Sequence, residues 1–215
     1  VSDGSLSLPA RLYLLAWDTS KSEATGTAQV PQLVRAGALT ELAQRGLLLD
    51  EDGIATPVDM DAETGDPVLD GLLELVRESR PHRWRGWVTL HSRFTLDAVR
   101  EQLTAGGYLR ARKKRALGLF PTVDHDLARP AAVEALQEEA REILRGQTAE
   151  PSARDAALGA LAAAADLRTL LPRKDRHDVH VEELIDRSGP VAPVLRKLVH
   201  EVRGAVTAAT VATRA

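Results

Sequence analysis

The sequence predicts a mainly α-helical protein: one compact helical domain over residues 5–214 with two short β-hairpins. Three observations carry that expectation. Leucine, valine and alanine recur at helical spacing through most of the chain. Two glycine-stopped helices each lead into a strand–turn–strand outline, near residues 30–58 and 95–123. The loops at 146–152 and 172–178 are too short to force a domain boundary.

Each element follows from local pattern. SLPARLYLLAWDT puts Leu8, Leu12, Leu14, Leu15 and Trp17 around a helical stripe, with Ser5 or Ser7 as its cap. Residues 18–29 are small and polar, hence a loop. Residues 30–45 form a helix with Leu33, Val34, Leu39, Leu42 and Ala43 inward, stopped by Gly46. LLLD and IATPV then flank a turn at Asp52-Gly53. DPVLDGLLELVRES is a helix with Pro67 in its first turn and Val68, Leu69, Leu72, Leu73 and Val76 buried. RWRGWVTLH is helical despite Gly86, with Trp84 and Trp87 read as core residues. TLDAVREQLTAGG is a helix capped by Thr95, with Leu96, Val99 and Leu103 inward. YLRAR, a basic turn RKKR and ALGLF make the second hairpin, near 108–121. After Pro130 four helical stretches follow, beginning PAAVEAL, SARDAAL, VHVEELI and VLRKLVH.

Composition excludes several function classes. The 215 residues hold no cysteine, so no disulfide, zinc-thiolate site or thiol nucleophile is available. No uncharged apolar run reaches the roughly 18 residues a membrane-spanning helix needs. The first thirty residues show no secretory pattern, so a cytoplasmic protein is expected. Arginines number 23 against five lysines, and with abundant alanine this suits GC-rich bacterial coding. His82, His91, His125, His177, His180 and His200 show no metal-ligand spacing such as HExxH. HDVH at 177–180, DHD at 124–126 and DMDAE at 59–63 contain ligand-type residues but complete no known loop or cluster. GxSxG, GxxxxGK[ST] and GxGxxG are absent. The expectation is a non-enzyme without metal or cofactor.

Charge distribution carries the main functional signal. The net charge is -3, yet residues 77–115 hold eleven lysines and arginines against Glu78, Asp97 and Glu101. That segment is therefore +8 and the remainder -11. A basic stretch in an acidic protein presents one face to a polyanion.

The ordered set LVRAGALTELAQRGLLLDEDG, TGDPVLDGLLELV, WVTLHSR, VREQLTAGGYL and LGLFPT resembles the Golgi phosphoprotein 3 family, including its bacterial members. The resemblance implies a peripheral membrane protein whose eukaryotic members bind phosphatidylinositol 4-phosphate and recruit cytoplasmic tails of glycosyltransferases. It also implies a lipid pocket made by a loop tryptophan, a helix arginine and two basic residues three apart. By position the helix arginine falls on Arg35, and the basic pair on Arg93 and Leu96, so one basic member is replaced. The tryptophan falls near Gly26, and no aromatic residue lies between Trp17 and Trp84. The family's membrane-contact and self-association hairpin corresponds to residues 110–121. Its basic part is Arg112, Lys113, Lys114 and Arg115, and its apolar part Leu117, Leu119 and Phe120. The candidate lipid-phosphate set is thus Arg35, Arg93 and Arg85, with an anionic phospholipid or phosphoinositide headgroup as ligand. A protein cargo and a homo-oligomer through the hairpin are the further partners implied.

A winged helix that reads nucleic acid is the alternative, since ALTELAQRGLLLDEDGIATPV has its outline. Its second helix would offer Gln44 and Arg45 but also Glu41, a repulsive charge towards phosphate. The wing EDG is acidic, whereas RKKR in the second hairpin would suit DNA better. A membrane-surface reading therefore ranks above nucleic acid, and a protein scaffold stands third.

Overall fold

The chain enters the fold through α1 (Leu8–Leu15), buried on nearly every side. The computed structural model describes residues 6–21, 23–25, 28–116, 120–172, 174–175 and 179–212, and the side chains of 113–122 lie outside that description. Two-residue strands β1 (Trp17–Asp18) and β2 (Glu23–Ala24) pair in a stretch where the sequence suggested only a loop. Next come α2 (Val30–Gln44), the hairpin β3 (Leu48–Glu51) and β4 (Ile54–Pro57), α3 (Pro67–Glu78), α4 (Trp84–Thr89) and α5 (Ser92–Ala105). A long ribbon of β5 (Leu109–Ala116) and β6 (Phe120–Leu127) follows. The chain then runs through α6 (Pro130–Leu144), α7 (Ala153–Ala164), α8 (Val181–Arg187) and α9 (Ala192–Ala212). Helices take more than half of the described residues, and every sheet among them is a two-stranded antiparallel pair. The mainly helical expectation holds.

α2 is the axis of the packing. It touches α1, α3, α4, α5, α7 and α9, and twelve of its fifteen residues are buried. One glycine sets how close α1 comes. A Cβ added at Gly37 would lie 2.5 Å from Leu12 Cδ1 and 3.3 Å from Pro9 Cα. Gly37→Ala is therefore expected to destabilise the protein by about 1–3 kcal/mol, the cost of overpacking a filled interior. Urea unfolding with an unchanged m-value would measure it, and a neutral result would mean that α1 can slide.

The turns obey local chemistry. Asp52 and Gly53 both have positive φ, 51° and 87°, as a tight two-residue hairpin turn requires. Asp66 caps α3 by accepting from the amides of Val68 and Leu69. Trp84 and Trp87 are both core residues, 1% and 0% exposed. The Trp84 indole donates to Asp50 at 2.8 Å, fastening hairpin β3–β4 to α4.

Four local expectations need correction. Ser7 precedes α1, but its hydroxyl makes no capping bond. The carboxylate of Glu41 caps α1 instead, accepting from the Leu8 amide at 2.5 Å. Thr95 is not a cap; α5 begins three residues earlier at Ser92, because the chain turns at His91 with φ 53°. RKKR is not a turn but part of strand β5. The ribbon runs past Pro121 because β6 continues through Asp124 and Asp126, which stand opposite Arg112 and Arg110.

Candidate anion-binding site

A helix as enclosed as α2 has no face to offer a nucleic-acid groove, which removes the recognition helix from the winged-helix reading. Glu41, expected to face phosphate, is 2% exposed and bonds Leu8, Arg45 and Arg154. Gln44 donates to the Ala153 carbonyl.

Enclosure also seals Arg35, which is 0% exposed. Its Nη2 donates to the His91 carbonyl at 2.6 Å. Nε and Nη1 are buried and find no hydrogen-bond acceptor. No carboxylate among the described residues pairs with it, so neither Asp18 nor Glu41 neutralises it. Asp18 holds Ser20 and Lys21, and Glu41 holds the contacts given above. Burial alone pulls the Arg35 guanidinium down from its ordinary value to about 10. It stays cationic at neutral pH, as a buried charge with two idle donors, which is costly unless paired.

The carbonyl that Arg35 reaches opens α5. His91 precedes that helix in a left-handed conformation, and no side chain caps it. No acidic residue lies in its first turn. The amides of Ser92 and Arg93 therefore keep the partial positive charge of a helix N-terminus, while that of Phe94 turns back onto the His91 carbonyl at 3.0 Å. Arg93, the second residue of α5, is exposed. Arg35 thus meets the α5 entry from inside while Arg93 stands outside it, two residues beyond the bonded carbonyl.

The basic segment divides into engaged and free cations. Arg77 donates to the carbonyls of Asp59 and Ala62. Arg100 pairs with Asp97 and lies over the Tyr13 ring. Arg112 pairs with Asp126 across the ribbon. Arg80, Arg83, Arg85 and Arg93 are exposed and pair with no carboxylate among the described residues. They occupy residues 79–96, a stretch without a single aspartate or glutamate. Arg85 lies on α4.

One residue that sequence reasoning passed over sits in this stretch. Phe94 is 66% exposed and stacks on the His91 ring at 5.2 Å. The helical stripe of Leu96, Val99 and Leu103 would have left Phe94 outside had the helix been started at Ser92. The expected hairpin residues Lys113, Lys114, Arg115, Leu117, Leu119 and Phe120 have side chains outside the described residues. The backbone of the first three and of Phe120 lies in the ribbon.

Among the described residues no group of three or more histidine, aspartate or glutamate side chains is arranged to hold a metal. Asp124 and Asp126 face the basic strand, and His177 of HDVH lies outside the described residues. Burial and the nearby Arg100 lower the pKa of His125. No described helix is long and apolar enough to cross a membrane.

A family model described as Golgi phosphoprotein 3 (GPP34) matches residues 8–202. Comparison with curated proteins finds no match.

Proposed function

The chain belongs to the Golgi phosphoprotein 3 family, and on that premise we propose that it is a peripheral membrane protein that binds anionic phospholipid headgroups at the entry of α5. Arg35 carries the reading. A buried guanidinium with two idle N–H donors, set against an uncapped helix start, has the chemistry of a phosphate site. Arg93 supplies a second cation from outside, and Arg80, Arg83 and Arg85 supply diffuse attraction, each worth about 1 kcal/mol near an anionic surface. Phe94 supplies an apolar anchor at headgroup depth. The missing loop tryptophan and the leucine at 96 argue for weak discrimination among anionic lipids, phosphatidylinositol 4-phosphate included. The same reading makes the protein a non-enzymatic adaptor that brings a protein cargo to the cytoplasmic side of a membrane.

Flotation with liposomes tests this. Vesicles containing phosphatidylserine or phosphatidylinositol 4-phosphate should carry the protein upward, and pure phosphatidylcholine vesicles should not. Raising salt should weaken the binding. Duplex DNA should compete poorly. Phe94→Ala should reduce flotation several-fold without lowering stability, since the ring is exposed. Charge reversal at Lys113 and Lys114 separates a contribution of the ribbon from that of α5. Equal binding to neutral and anionic vesicles would reject the headgroup site.

A further inference from the structure

The acid-free stretch 79–96 holds two histidines besides its arginines, His82 and His91. His82 meets the Trp87 ring edge-on. His91 stands at the α5 entry itself. Its carbonyl accepts from Arg35 at 2.6 Å and from the Phe94 amide at 3.0 Å. The residue is exposed, and its ring lies parallel to that of Phe94 with 5.2 Å between centroids. The left-handed backbone, at φ 53°, fixes where the ring leaves the chain.

Histidine is the side chain whose charge ordinarily changes between about pH 5 and 8. No carboxylate among the described residues pairs with the His91 ring. The charges brought to the α5 entry are cations: Arg35 from α2, Arg83 and Arg85 from α4 and its cap, and Arg93 from α5 itself. The acids on the elements packed against α5 are engaged elsewhere. Asp97 pairs with Arg100, Glu74 with Arg77, Asp66 caps α3 and Asp70 accepts from Thr64. From α1, Tyr13 accepts from Arg100 and Arg11 pairs with Asp155. On β5, Arg110 and Arg112 stand opposite Asp126 and Asp124. Glu101 lies about 15 Å of helix further along α5. Glu78, exposed at the end of α3, is the remaining titratable acid of these helices.

We propose that the α5 entry takes up a proton together with its anion: His91 becomes an imidazolium when a phosphate group is seated there, so attachment to an anionic surface strengthens as pH falls. The inference rests on the headgroup reading of this site and adds its regulation. A neutral imidazole leaves the anion to Arg35 and Arg93. A protonated one adds a further cation two residues before Arg93. The seated anion supplies the counter-charge that no paired carboxylate gives the ring, so proton and anion favour each other by the same factor. Phe94 holds the ring in place, and an imidazolium against a phenyl face gains a cation–π attraction besides. The gain in binding is present below the range in which histidine titrates and is lost as pH rises through it.

Flotation at about pH 5.5 and about pH 8 reads the effect. The vesicles are phosphatidylglycerol in phosphatidylcholine at fixed salt, because a phosphodiester keeps its single charge across that range. Wild type should bind about fivefold more tightly at the lower pH, the effect of one added cation near an anionic surface. His91→Asn places a residue that tolerates the left-handed backbone. It should bind equally at both pH values, at the level of wild type at the higher one. His91→Arg carries a charge that does not titrate. It should bind at both as wild type does at the lower pH. His82→Gln and Glu78→Gln should keep the wild-type ratio. A ratio that survives in His91→Asn, or that disappears in either of those two controls, would overturn the proposal. Equal binding of wild type at both pH values would also overturn it, and would leave the headgroup site standing. No flotation of wild type at either pH would reject the headgroup site itself, and this inference with it.

Discussion

Glu41→Ala is expected to cost about 3–5 kcal/mol, the loss seen when one partner of a buried ionic network is removed. Three groups depend on this one carboxylate. The Leu8 amide, at the start of α1, donates to it at 2.5 Å. Arg45 and Arg154 donate to it at 2.6 Å and 3.3 Å. Arg154 and Arg45 have side chains 30% and 38% exposed, so water can take them over. The amide cannot be rescued so easily, because Leu8 is fully buried. An unmet buried donor and a cavity between α1 and α2 together account for the size of the effect. Arg45→Ala removes only a half-exposed ion pair and should cost under about 1 kcal/mol. Urea midpoints of the two variants give the comparison. Similar losses for both would mean that Glu41 acts as an ordinary surface charge.

Glu41 also shows where sequence reading of this fold stops. The stripe of Leu33, Val34, Leu39, Leu42 and Ala43 correctly gave a helix, but implied one buried face and one wet face. The structure buries Arg35, Thr40 and Glu41 as well. Their burial depends on partners 56, four and 33 residues away in sequence: the His91 carbonyl, the Ala36 carbonyl and the Leu8 amide. Only the second is local enough for a helical pattern to reveal. Elements whose signals are local were legible throughout. Pro67 beside Asp66 started α3, Asp52-Gly53 turned the first hairpin, and Gly46 and Gly107, both with positive φ, stopped their helices.

The second hairpin was misjudged for a different reason. Its strands were ended at Pro121, although a proline is tolerated in a two-stranded ribbon with open edges. The informative signal was cross-strand charge. DHD holds ligand-type residues, yet its two aspartates sit opposite Arg110 and Arg112 in register. The candidate site was half legible. The acid-free run of arginines at 79–96 is plain in the sequence, and the family resemblance singled out Arg35 and Arg93. That Arg35 would approach α5 from within, with donors idle, needed the three-dimensional path of α2.

Arg35→Met is accordingly expected to make the ligand-free protein more stable, by about 1–3 kcal/mol, where most core substitutions destabilise. Lowering the guanidinium from its ordinary value to about 10 corresponds to about 3 kcal/mol charged against folding at neutral pH. Methionine fills much of the same volume and needs no hydrogen bond. The His91 carbonyl is not orphaned, because the Phe94 amide also donates to it at 3.0 Å. The pH dependence has a definite sign. The unfolded chain holds the Arg35 proton more tightly than the folded one, so wild type lags the variant below pH 10 and recovers above it. Anion binding should show the reverse order. Vesicles or soluble inositol phosphates should raise the melting temperature of wild type by linkage and leave Arg35→Met unmoved. Arg93→Ala should weaken the same response, and the double variant should lose little more than the worse single, because both cations serve one ligand. Unfolding and thermal shift measured side by side separate the outcomes. A marked loss of stability in Arg35→Met would mean that the guanidinium is satisfied within the fold. A retained anion response in that variant would move the headgroup away from α5, onto the exposed arginines alone.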